Sequence, residues 1–205
     1  MNFSIGPFSM IPKPKQSNTV PFKLHHSDPD IINRLSERLR AVFTTVPLYR
    51  PVVIVCVGTD RSTGDALGPL VGTALSRTSG IPVYGTLHEP VHAMNLTERL
   101  KEIQSAYRNP FIVAIDACLS QLSSVGTIQA GEGPVKPGAG VNKDLPPVGE
   151  FHVTGIVNVG GFMEYFVLQN TRLALVVTMA DVIAESLRIA AEERMASVIS
   201  TQTLE

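Results

Sequence analysis

Two short runs constrain this chain more than any other feature. Residues 51–57 read PVVIVCV and residues 111–115 read FIVAI. Almost every position is apolar, many are β-branched, and no polar residue alternates with them. A strand of that kind is covered on both faces, as in a parallel sheet held between helices. Stretches of helical period surround them. Ile31, Ile32, Leu35, Leu39, Val42 and Phe43 follow such spacing. Ser27 is the expected N-cap there, with Asp28, Pro29 and Asp30 in the first turn and Pro47 and Pro51 ending the helix. A second helix is expected from about residue 65 to 76, with Leu67, Leu70, Val71, Ala74 and Leu75 inward. A third starts at Asn95, where Glu98 completes a capping-box pattern, and carries Leu96, Leu100, Ile103 and Tyr107. Residues 81–85, 125–130 and 153–159 predict further strands, and 162–169 and 173–199 further helices. The alternation predicts an α/β domain of three layers, a mostly parallel sheet flanked by helices. It spans residues 27–200, after an extended arm over 1–26 that carries Pro7, Pro12, Pro14 and Pro21. The Gly- and Pro-rich stretch 131–150 is longer than an ordinary connection.

A chain of 205 residues suits one such domain. Its 17 Lys and Arg nearly balance 18 Asp and Glu. A net charge of −1 therefore offers no electrostatic attraction for nucleic acid or an anionic membrane. No apolar run approaches the roughly 18 residues of a spanning helix, and the first residues lack the charge of a secretory signal. Two cysteines, Cys56 and Cys118, make no disulfide framework, so a reducing cytoplasm is the expected compartment. Only 17% of residues are charged. With an apolar C-terminal helix, that composition is compatible with a homodimer.

In open α/β sheets ligands bind outside the carboxyl ends of the strands. That rule selects the loop after Val57, the segment after Gly85, and Asp116. The loop fails as a phosphate cradle. Five residues separate Gly58 from Gly64, and Asp65 stands where a Walker loop needs Lys. No dinucleotide fingerprint is present. Asp65 either caps the following helix or, if the two strands are neighbours, converges with Asp116 over one sheet edge. Two carboxylates in a partly dry cleft repel, and one pKa rises. One acid then activates water while the other protonates a leaving group. Such hydrolysis needs no cofactor, although a pair of acids also suits a divalent ion. Thr59 and Asp60, on the loop ahead of Asp65, are candidate supporting residues.

Residues 88–92 spell H-E-x-x-H, the zinc-peptidase pattern, but Pro90 opposes the helix that would align His88 with His92. Glu89 and His92 are instead candidates to line the cleft. Lys136 and Lys143 bring positive charge to the long loop, and Lys143 is placed to orient a peptide carbonyl or neutralise the acids. Cys118 would need a base such as His152 to act as a nucleophile. Cys56 lies inside an apolar run as a small hydrophobe. No G-x-S-x-G elbow occurs.

Several motifs carry a resemblance to a known family: CVGTDRSTGDALGPLVG at 56–72, YGTLHEPVHAMNL at 84–96, IDACLS at 115–120, KPGAGVNKDLPPVG at 136–149 and GIVNVGGFMEY at 155–165. Together they resemble the YyaC family of sporulation proteins. That family is similar to the germination protease, a spore endopeptidase that degrades small acid-soluble proteins, and to the hydrogenase-maturation endopeptidases. The resemblance implies a germination-protease-like fold of the phosphorylase/hydrolase kind. It implies that Asp65, in a segment matching T-P-D-A-L-G-P, and Asp116, in one matching I-D-A, are a catalytic pair acting on a protein or peptide. It also matches residues 136–143 to an H-P-G-S-G-x-G-N-K loop. In the maturation enzymes acids at equivalent strand ends, with a His, contact nickel, and His92 or His152 are the candidates here. The implied place of action is the cytoplasm of a sporulating cell or forespore. The germination protease is much longer and has an activating propeptide, and its sequence diverges after the second aspartate. The same residues leave two alternatives: a non-catalytic binding or regulatory protein of spore formation, and a metal-dependent maturation-type endopeptidase.

Overall fold

The computed structural model describes residues 22–137 and 145–202. Strands β1 (Phe22–His25), β2 (Val52–Cys56), β3 (Val83–Tyr84), β4 (Phe111–Ser120), β5 (Thr127–Glu132) and β6 (Phe151–Val159) form one sheet in the order β1-β5-β6-β4-β2-β3. Helices α1 (Ile31–Thr45), α2 (Leu67–Leu75), α3 (Leu96–Ala106), α4 (Glu164–Gln169) and α5 (Leu173–Gln202) accompany it.

Every residue of β2 is buried, because both faces are covered. Val52, Ile54 and Cys56 share a core with α1, α2 and α5. Val53 and Val55 share the opposite core with Leu96 and Ile103 of α3. The expected three layers follow directly from those two faces.

β3, β2, β4 and β6 are parallel, whereas β5 runs antiparallel to both β6 and β1. The reversal has a simple cause. Residues 121–126 are too short a link for a parallel crossover, so the chain turns back. Residues 22–25, placed in the arm by sequence, form edge strand β1. Phe22 and Leu24 pack toward the core while Lys23 and His25 face outward. The rest of that arm, residues 1–21, lies outside the described residues.

Two helix starts differ from expectation. α1 begins at Ile31 behind Asp30, and the Ser27 hydroxyl instead meets His25 Nδ1 at 2.7 Å. Asn95 does precede α3, but its side chain does not cap it. It accepts from the His92 amide at 2.8 Å and donates to the Pro90 carbonyl at 3.0 Å, so it ties down the preceding loop. α1 ends as Val46 turns extended ahead of Pro47. The buried Arg194 guanidinium on α5 donates to the Phe43, Val46 and Pro47 carbonyls there, at 3.0, 2.6 and 2.8 Å.

The connections place a functional edge. From β2 the chain leaves through α2 on one face toward β3. It returns through α3 on the other face to β4, on the far side of β2. The strand order thus reverses between β2 and β4, and a crevice opens at their carboxyl ends.

Candidate acid-pair site

Asp65 and Asp116 flank that crevice. Asp65 belongs to a short 3₁₀ turn, Gly64–Ala66, that leads into α2. Close packing holds the turn against the strand end. The Thr59 amide donates to the Asp65 carbonyl at 3.1 Å. A Cβ on Gly58, whose φ is +147°, would lie 2.0 Å from that carbonyl oxygen. One on Gly68 would lie 2.1 Å from the Val57 carbonyl. Only glycine permits α2 to approach β2 this closely.

Neither the turn nor α2 is closed by a side-chain capping bond, so Asp65 is not engaged as a helix cap. Ser62 Oγ is buried without a hydrogen bond of ordinary geometry, yet it stands close enough to the Asp65 carboxyl to lower its pKa. Burial dominates, and the Asp65 pKa is raised overall.

The sequence predicts Asp116 at the end of its strand, and the structure differs. Asp116 lies within β4, which continues to Ser120 because β6 is long enough to pair with it. The β2 ladder ends at Cys56, opposite Ile115. Asp116 is thus one step beyond the last β2 rung and still pairs with Thr154 on β6. Its Oδ1 accepts the Ala117 amide at 2.9 Å. Burial pushes its pKa up to about 8, the Ala117 hydrogen bond pulls against that, and the negative charge of Asp65 raises it further. The two acids therefore interact electrostatically, and among the described residues neither forms an ion pair. Burial thus favours the protonated form at both carboxyls, and it pushes Asp116 up to about 8.

The surrounding candidates divide. Thr59 is fastened to the acid turn, and its hydroxyl accepts from the Arg61 amide at 3.3 Å. Asp60 is exposed on the same loop. Residues 88–92 form a loop, and the Gly58 amide donates to the Val91 carbonyl at 2.8 Å, which joins this loop to the acid turn. His92 Nδ1 accepts the Met94 amide at 3.2 Å, and Glu89 is exposed. Neither side chain is among the groups that shift the two aspartates. Lys143 lies outside the described residues, and Lys136 is exposed. His152 turns its Nδ1 to the Gly133 carbonyl, 3.0 Å away.

Cys118 lies two residues beyond Asp116. Burial raises its thiol to about 11, the Thr154 hydroxyl lowers it, and Asp116 adds a small upward push. A thiol so held stays protonated and is a poor nucleophile. Burial likewise pushes the Cys56 thiol up. Among the described residues no three His, Cys, Asp or Glu side chains gather as a metal-binding set, so any ion there would rest on the two carboxylates. Two concavities elsewhere, one between α1 and α5 and one beside Ile112 and Glu150, include neither acid.

Ser62 and Thr154, which stand beside the two acids, are not singled out by the sequence pattern. Ser62 carried one signal, a small hydroxyl three residues ahead of an acid in a strand-to-helix loop. Thr154 carried another, a hydroxyl between Val153 and Gly155 in a largely apolar strand.

A family model described as "Protein of unknown function (DUF1256)" matches residues 23–186. The chain belongs to this family. The DUF1256 match runs from β1 into α5 and takes in both acids. The chain is also similar to a Bacillus subtilis (strain 168) protein described as "Uncharacterized protein YyaC". The two are 59% identical over 142 residues, 68% of this chain and 69% of the relative. Among the described residues no helix is long and apolar enough to cross a membrane.

Proposed function

We propose that this DUF1256 protein is an aspartate-dependent endopeptidase related to the germination protease, acting on a protein or peptide in the sporulating cell or forespore. One observation carries the reading: Asp116 is pushed to about 8 at a topological switch point, where the charge of Asp65 acts on it. Strongly shifted carboxyls of this kind mark functional clefts. The similarity of residues 63–69 and 115–117 to the two aspartate segments of the germination protease supports it as well.

In this mechanism ionised Asp65 takes a proton from water, and the water oxygen attacks the peptide carbonyl carbon. Asp116 donates its proton as the amine departs. The carbon–nitrogen bond breaks, and Asp65 then gives its proton to solvent while Asp116 takes one back, which restores the resting pair. Ser62 orients Asp65, and Thr154 stands opposite Asp116 in the β4–β6 ladder.

The test is incubation of the full chain with small acid-soluble spore proteins from about pH 5 to about pH 9, with cleavage followed by mass spectrometry. Cleavage is expected from wild type and is lost by at least about 100-fold in both Asp65→Asn and Asp116→Asn. The alkaline limb of the profile falls near pH 8, where Asp116 gives up its proton. Intact substrate at every pH with folded protein overturns the peptidase reading and leaves a binding protein on the same fold.

A further inference from the structure

We propose that residues 162–177 are a two-fold interface through which this chain pairs with a second copy of itself. The stretch contains the end of the β6 connection, all of α4 and the first turn of α5. Its large apolar side chains stand in solvent: Phe162 is 88% exposed, Tyr165 58%, Phe166 53%, Leu173 58%, and Met163 half-exposed, with Val177 one turn beyond Leu173. The Tyr165 and Phe166 rings meet edge to face, 5.7 Å apart.

Size selects a protein partner. With about 200 Å² for a full aromatic or large aliphatic side chain, the six side chains together expose roughly 700 Å². The largest patch on an ordinary monomer is about 300–600 Å². A stable interface takes about 800 Å² from each partner. A single exposed side chain would need no explanation, but six within sixteen residues of chain do.

Charge selects a second copy. Between residues 162 and 177 the only charged residues are Glu164 and Arg172, one toward each end. Arg172 is exposed, and among the described residues it makes no ion pair within the protomer. A two-fold axis exchanges the ends of a patch, so residue i meets j and j meets i. Glu164 then faces Arg172 of the partner subunit, twice over, around an uncharged centre. No like charges meet.

The surface is also held firmly. Met163 sits in the left-handed region at φ 56°, an uncommon position for a side-chain-bearing residue. Glu164 Oε1 accepts the Gly161 amide at 3.1 Å, and Asn158 Nδ2 donates to Val167 O and Thr171 Oγ1 at 3.2 and 3.1 Å. A Cβ on Gly64 would lie 2.7 Å from Leu168, so α4 rests on the turn that carries Asp65. Dimerisation through this surface therefore places one acid pair on each side of the interface.

Sedimentation equilibrium of the full chain tests the proposal. Wild type is expected to dimerise reversibly below about 100 μM. Phe162→Glu and Leu173→Glu are each expected to weaken the dimer by about 30-fold or more, with unchanged circular dichroism, since neither side chain belongs to the protomer core. Glu164→Lys and Arg172→Glu are each expected to weaken it, and the double variant to recover it. A monomeric wild type at that concentration overturns the proposal. So does a dimer indifferent to both apolar-to-Glu changes. A double charge variant no tighter than the single ones overturns the two-fold arrangement.

Discussion

Asp116 should make this protein lose stability as the solution becomes more alkaline. In the folded chain its carboxyl loses its proton only near pH 8, against an ordinary value of 3.8. Burial beyond the last β2 rung is the main cause, because the charged form loses hydration there. Below about pH 4 the group is protonated in both folded and unfolded chains and has no effect on the balance. As pH rises the unfolded chain ionises freely while the folded one stays neutral, so the folded state binds more protons and stability falls. The slope is about 1.4 kcal/mol per pH unit, up to about 6 kcal/mol over the interval, and it flattens above pH 8. That is a large part of the 5–15 kcal/mol that typically separates folded from unfolded chains. Asp116→Asn removes the titration and keeps an oxygen that can accept the Ala117 amide. Urea unfolding of both proteins at a series of pH values reports the effect of the coupled acid pair, because titrating groups other than Asp65 and Asp116 cancel in the difference. The variant's advantage should grow steadily from about pH 5 to about pH 8. A difference that stays constant within about 0.5 kcal/mol would refute the burial argument.

Other outcomes follow from the same contacts. In Asp65→Asn the Asp116 pKa should move down, by less than burial raised it, as carboxyl carbon chemical shifts would show. Gly58→Ala should destabilise by about 3 kcal/mol or more in thermal unfolding, since its Cβ meets the Asp65 carbonyl at 2.0 Å and its φ is +147°. Arg194→Met should cost about 3 kcal/mol by leaving the carbonyls at the end of α1 without their donor, and Arg194→Lys should recover only part of it in denaturant titration.

Much of the architecture was legible because burial on two faces leaves a plain trace. The runs at 51–57 and 111–115 could only be central strands, and the helical stripes around them covered the two faces. Shorter signals were not legible. Phe22–His25 alternates inward and outward as an edge strand should, but four residues behind a proline do not outweigh a loop reading. Asn95 looked like a helix cap. Its side chain serves the loop behind it because the Pro90 carbonyl and the His92 amide are nearer partners.

Local sequence is enough to specify the layers, the central strands and the carriage of Asp65 and Asp116 to strand ends or beside them. Those properties depend on local hydrophobic period and turn chemistry, which neighbouring residues encode. The assembled fold alone sets the point at which β2 stops, one rung before Asp116, while β6 continues past it. Only it decided that glycines at 58 and 68 draw α2 onto the strand end, and that Ser62 and Thr154 stand beside the acids. Each of these is a relation between segments far apart in the chain. It is the desolvation produced by that assembly, absent from any single segment, that turns Asp116 from an ordinary carboxylate into a neutral acid.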